Sequence, residues 1–226
     1  MTIIPFDRLT SNTTEVFLGA DRAQAAFNAA NSIGVSPDAV ARYATWSSLK
    51  KFDNDTTSQP FSPFGAVTNP EYIWNQPTSD GQTAAFAIAS NEFIAESDFS
   101  VFLGAFADNA MEAKIELFIS SGPGNPFTKA SPQPDGLDEF LLIAGEPNNP
   151  AVGLTINNPP FTFQDIRMFS TVFTSPIPVL DSSFKIVVSF EGTNYLIQPQ
   201  YASNPSSLNN PAGLQFIVDI YRNALD

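Results

Sequence analysis

The 226-residue chain holds 23 Asp and Glu residues and neither His nor Cys. Carboxylates are therefore the one catalytic device it carries in number. A glycosidase needs a pair of them, roughly 5–10 Å apart according to its stereochemical course. By type, Glu92, Glu96, Asp98 and the adjacent Asp138-Glu139 qualify. No spacing rule selects them, and solvated surface acids are the plainer reading. Asp53-Asn54-Asp55 forms an oxygen-rich loop of the sort that suits Ca²⁺. The sixth-position Gly and twelfth-position Glu of a calcium-binding helix–loop–helix are missing, so an Asp/Asn turn is expected instead. Ser121-Gly122-Pro123-Gly124 lacks the spacing of a phosphate-binding loop. Asn12-Thr13-Thr14 and Asn54-Asp55-Thr56 match the N-glycosylation sequon, as chance alone produces in a chain rich in Asn and Thr.

The missing residue types exclude more than the motifs suggest. Histidine is the usual general base at neutral pH and the commonest metal ligand. Cysteine is the thiol nucleophile and the soft-metal ligand. Ser-His-Asp triads, Cys-His dyads, Cys/His zinc sites and disulfides all go. The expectation is a protein that is not an enzyme, with no catalytic residue, no cofactor and no metal assigned.

Composition narrows the partners. Net charge is −13, and the ten Lys and Arg residues are scattered, with Lys50-Lys51 the one adjacent pair. Phosphate backbones need clustered cations, so nucleic acid is not an expected partner. The same sign repels anionic lipid. The acidity is uneven: residues 52–113 contain nine acids and no base. That stretch reads either as a solvated face or as an acidic surface that docks a near-neutral segment of a neighbouring copy. No signal peptide is expected at the N-terminus, and no apolar run approaches the length of a membrane helix. Only 15% of residues are charged, against about 25% in ordinary soluble domains.

Any site must be positioned by the following elements. Residues 1–20 read as an extended arm carrying apolar Ile3, Ile4 and Phe6. Ala23, Ala26, Phe27 and Ala30 fall on one face of a helix, which Gly34 closes. Ser36-Pro37-Asp38 is a good N-terminal signal for a second helix, running to Lys50 or Lys51. Residues 21–51 are thus expected to be helical and to rest on the remainder. After residue 52 the period becomes two. Residues 113–119, 184–190 and 214–220 alternate apolar with polar, as half-buried antiparallel strands do. Further strands are expected at 83–90, 92–96, 98–107, 138–144, 151–156, 161–174 and 194–199.

Phe99, Phe118, Phe184, Phe190 and Phe216 lie within these strand patterns and read as core. Some strands are apolar on both sides. Phe102 and Phe106 oppose Phe99, Val101 and Leu103, while Ile166, Met168 and Val172 oppose Phe163, Phe169 and Phe173. Such strands need cover on both faces, either from the helical segment or from a neighbouring subunit.

The fold expected is mainly β: an antiparallel β-sandwich, jelly-roll-like, with a short α-helical N-terminal segment, one structural domain overall. The favoured function is a non-enzymatic structural subunit that assembles with itself into a filament, sheath, tube or shell, with Ile3, Ile4 and Phe6 at the subunit interface. An arm of this kind can add a strand to a neighbour's sheet, or pair within its own chain. An extracellular appendage, surface coat or virion-associated assembly would suit it. The alternative is a glycan- or ligand-binding β-sandwich module, lectin-like, and a further one is a carboxylate-dependent hydrolase.

Overall fold

The structure is a computed structural model and describes residues 2–44, 46–49, 64, 69–94, 97–139, 142–144, 166–176, 181–194 and 210–224. In chain order the described strands are β1 (Thr2–Thr10), β2 (Phe17–Gly19), β3 (Asp38–Ala39), β4 (Ile73–Trp74), β5 (Thr83–Ala89), β6 (Asp98–Asp108), β7 (Ala110–Ser120), β8 (Thr128–Lys129), β9 (Leu142–Ala144), β10 (Arg167–Thr174), β11 (Ser183–Thr193) and β12 (Gly213–Ala224). A single described helix, α1 (Arg22–Asn31), follows β2.

The strands form two antiparallel sheets. The front sheet runs β10-β6-β12-β4-β3, with β1 also on β12. The back sheet runs β2-β5-β11-β7-β8, with β9 also on β7. Successive long strands change sheet: β5 back, β6 front, β7 back, β10 front, β11 back, β12 front. This repeated crossing gives the sandwich its jelly-roll-like character.

Alternation explains the core. Phe99, Val101, Leu103 and Ala105 of β6, with Leu214, Phe216, Val218 and Ile220 of β12, point inward from the front sheet. They meet Phe86, Ile88, Met111, Ile115, Leu117, Phe184, Ile186, Val188 and Phe190 of the back sheet. Phe190 stacks on Phe216 across the gap, with ring centroids 4.5 Å apart. Phe118, the fifth phenylalanine expected in the core, is buried on the opposite face of the back sheet, under α1.

The helix forms where expected, but its buried face is Ala25, Ala26, Ala29 and Ala30; Ala23 is exposed. The back sheet presents Ala85 and Ala87 beneath it, so small residues on both sides let the helix lie close. Asp21 caps the start, accepting from the Gln24 N–H. The left-handed residue that ends the helix is Ser32, two positions before Gly34.

The second helix expected over 36–51 is not present among the described residues 36–44 and 46–49. Asp38 and Ala39 instead pair with Trp74 and Ile73, and the Val40 N–H donates to the Tyr72 carbonyl. Trp46 is drawn into a pocket with Tyr72 and Phe106. Strand pairing and a buried indole outweigh an N-terminal helix signal, which is worth only about 1 kcal/mol. The described residues of 21–51 are therefore one helix followed by an irregular cover. In the expected strand at 92–96, Phe93 makes an isolated bridge to Phe184, and residues 95–96 lie outside the described residues. So do 151–156, 161–165 and 195–199.

The N-terminal arm is β1 of its own chain, paired with β12 from Thr2↔Ala224 to Thr10↔Ile217. Phe6 packs edge-on to Phe93 and Phe99 within the same sandwich. Ile4 is half-buried and Ile3 stays 62% exposed. Phe6, one of the three residues expected at a subunit interface, makes these ring contacts within its own chain.

Candidate functional site

The outer faces of the two sheets are treated differently. Helix α1 covers the back sheet, and an ionic network fixes it. Glu116 of β7 is buried and accepts from Arg22 of α1, Ser189 of β11 and Lys129 of β8. Lys129 also pairs with Asp138, which Lys114 holds as well. Burial alone would raise the Asp138 pKa, but the two lysines outweigh it and lower the value.

Residues 40–44 and 46–49 cover one end of the front sheet. Trp46 and Tyr72 cover Phe106, and the buried Gln215 side chain accepts from the Leu49 N–H and donates to the Pro70 carbonyl. The rest of the outer face is more open. Phe102 is 49% exposed, Met168 69% and Val172 65%.

Strand register aligns the residues of this face. One row crosses four strands in the order Ser170, Phe102, Asp219, Arg8. The next row toward the covered end is Met168, Gly104, Ile217, Thr10. The row on the other side contains Val172, Ser100 and Tyr221. Arg8 grips Asp219 with a two-pronged fork, Nε to Oδ1 at 2.5 Å and Nη2 to Oδ2 at 2.7 Å. Such charge-assisted pairs fix orientation as well as energy. The Arg8 guanidinium also lies over the Phe64 ring, 5.0 Å from its centroid. Phe64 and Phe102 both stand edge-on to Tyr221. Burial raises the Tyr221 pKa, with Asp219 adding and Arg8 opposing.

Between these rows is a hollow of about 300 Å³, lined by Leu49, Phe102, Gly104, Met168, Ser170 and Asp219 among others. A mostly apolar lining with a few fixed polar groups is the usual character of a small-molecule site, and this volume lies at the lower end of the usual range.

A second, more polar groove of about 440 Å³ lies between β1, the end of α1 and the end of β5, where it gathers Asp7, Glu15, Glu92 and Lys185. Burial raises the Asp7 pKa, although the Asn91 and Arg8 backbone N–H groups oppose it. Lys185 caps the Ala30 carbonyl and lies over the Phe127 ring. Its pKa is lowered by burial.

The carboxylates considered for hydrolysis are dispersed. Glu92 lines the polar groove. Asp98 sits at the start of β6 and accepts from the Thr174 hydroxyl. Asp138 belongs to the lysine network on the back sheet, with exposed Glu139 beside it. Glu96 and Asp53-Asn54-Asp55 lie outside the described residues. Among the described residues, no group of three or more Asp or Glu converges as a metal site. No described helix is long and apolar enough to cross a membrane.

The sequon at Asn12 is a turn. Asn12 is buried; its oxygen accepts from the Thr14 and Glu15 backbone N–H groups, and its amide donates to the Thr10 carbonyl. Sequence reasoning found Phe102, Met168 and Val172 as the second face of their strands. It missed Arg8, Gly104, Ser170 and Asp219, which only the register brings together.

No family model matches the chain, and no curated protein matches it. One solved structure, titled "CBM4 structure and function", is similar over 69% of this chain and 82% of that chain, at 10% sequence identity and a TM-score of 0.26. A likeness that low carries no argument about this chain.

Proposed function

We propose that the protein is a non-enzymatic glycan-binding module whose site is the open part of the front sheet's outer face. The observation that carries this reading is the row Ser170–Phe102–Asp219–Arg8. A sugar ring has an apolar C–H face and a rim of hydroxyls, each both donor and acceptor. Phe102 offers a half-exposed aromatic platform for the former. On either side of it stand the exposed Ser170 hydroxyl and the Asp219 carboxylate, which the largely buried Arg8 holds in place; these supply donor and acceptor groups for the latter. The fork is already assembled, so little ordering entropy is lost on binding. The protein's strong net negative charge favours neutral glycans over anionic ones.

Assembly through the arm is not carried into this reading. Donating β1 to a neighbour would forfeit its pairing with β12 and the Phe6 contacts in its own core.

Titration of the protein with neutral oligosaccharides tests the proposal. Binding is expected, and Phe102→Ala should weaken it at least about tenfold, as loss of an interface aromatic does, with the circular dichroism spectrum unchanged. Absence of binding to every neutral glycan tried, or full affinity in Phe102→Ala, would overturn it.

A further inference from the structure

Gly104 is the described glycine for which the backbone gives no reason. Gly34, Gly81, Gly122, Gly124 and Gly136 have positive φ. At Gly19, Gly192 and Gly213 an added Cβ would lie 2.9 Å or less from a neighbouring atom. At Gly104, in mid-strand, an added Cβ would meet only Leu49 Cδ2, at an ordinary 3.7 Å. Glycine weakens a strand interior and often marks a bulge, a tight bend or the close approach of a ligand or another backbone; the pairing of β6 with β10 and β12 runs through Gly104 without a register shift, which leaves close approach.

The missing side chain lies on the outer face, and the hollow includes the space it leaves. Met168 and Ile217 are the cross-strand partners of Gly104 on either side, and Leu49 closes the covered end, where Gln215 holds its backbone. The floor and walls are therefore apolar. The adjacent row supplies Ser170, Asp219 and Arg8. A plain hexose would put hydroxyls against this apolar floor and leave them without partners, which costs binding.

Resting on the glycan reading, we infer that the hollow above Gly104 is a subsite for the acetamido group of an N-acetylated hexosamine. The acetyl methyl enters between Leu49, Met168 and Ile217. The amide N–H faces the row of Asp219 and Ser170, while the ring stacks on Phe102. Net charge agrees, since such sugars are neutral.

The test compares N-acetylglucosamine oligomers, glucose oligomers and a 6-deoxyhexose-rich glycan on the full chain by calorimetry. The acetylated oligomer is expected to bind at least about tenfold tighter than the glucose oligomer, one such apolar contact being worth 1.4 kcal/mol or more. Gly104→Val fills the hollow and should abolish that preference, bringing the acetylated oligomer down to no more than the affinity of the glucose oligomer. Gly104→Ala serves as the conservative control and should narrow the preference without loss of stability. Met168→Lys, at an exposed position on the rim, should also narrow it, and it stands as the test if the valine variant does not fold. Equal binding of acetylated and glucose oligomers, preference for the 6-deoxy glycan, or an unaltered preference in the variants would overturn the subsite and leave the module standing. Failure of all three glycans to bind would overturn the module itself.

Discussion

The indole N–H of Trp46 donates to Oδ2 of Asp108, and both residues are buried. Trp46 is the centre of the cover over one end of the front sheet, so this bond anchors it to the last residue of β6. Burial pushes the Asp108 pKa up to about 7, although the bond from Trp46 opposes that. The unfolded carboxyl releases its proton near pH 4. Between those values the folded chain holds a proton that the unfolded chain has lost, so stability falls as pH rises through about 4 to 7. Full ionisation costs on the order of 4 kcal/mol. Asp108→Asn is isosteric with the neutral acid. Urea denaturation should show the variant matching the parent near pH 4 and exceeding it at pH 8. Asp7, whose pKa is also raised by burial, should leave a smaller slope of the same sign. Identical pH profiles for parent and variant would refute this role for Asp108.

Much of this was legible in the sequence, for definite reasons. β7, β11 and β12 alternate over long spans, and burial enforces a period of two wherever one face meets a core. The second face of β6 and β10 was visible too, because Phe102, Met168 and Val172 break the alternation. Local signals failed where a distant partner decided the outcome. Ser36-Pro37-Asp38 promised a helix, but β4 and the pocket around Trp46 took that segment instead. The candidate site was illegible as a site. Positions 8, 102, 104, 170 and 219 become neighbours only through the registers of β1, β6, β10 and β12, and no spacing along the chain encodes those.

Gly213 should not tolerate a side chain. An added Cβ would lie 2.6 Å from two ring carbons of Trp46. Overpacking of this kind costs about 1–3 kcal/mol. Gly213→Ala is expected to lower the thermal midpoint and to shift Trp46 emission to longer wavelength as the ring is displaced. Trp74 is the only other tryptophan, and it sits elsewhere, against Phe86. Parental emission and stability in Gly213→Ala would contradict the tight fit, whereas Gly104→Ala should leave both unchanged.

The docking of α1 should depend on Glu116. Its carboxylate is 3% exposed and meets Arg22, itself 16% exposed, and Lys129. Removing one member of a buried pair strands the other charge, at about 3–5 kcal/mol. Lys129 is more exposed and keeps Asp138, so the lower end of that range applies. Glu116→Ala is expected to lose about 3 kcal/mol in urea titration, and Glu116→Gln less, since it still accepts from Ser189. Hydrogen exchange over residues 22–31 should accelerate in both. Protection unchanged from the parent would show that the alanine face alone holds the helix.

The Arg8–Asp219 fork allows stability and binding to be separated. Its side chains are 7% and 21% exposed, and it ties β1 to β12. Asp219→Ala leaves a guanidinium buried without its carboxylate, so a loss of about 3 kcal/mol is expected. Replacing both partners with apolar residues of similar size removes the stranded charge, and such exchanges are often neutral or stabilising. Arg8→Met/Asp219→Leu should therefore recover most of the stability lost in the single variant. It should not recover glycan binding, because the hydroxyl-binding groups are gone from the rim while Phe102 and the hollow remain. Restored stability with binding still reduced at least about tenfold, a difference of 1.4 kcal/mol, is the expected pattern. If the double variant binds neutral glycans as the parent does, the fork serves only to join the two strands, and recognition must rest on Phe102 and Ser170 alone.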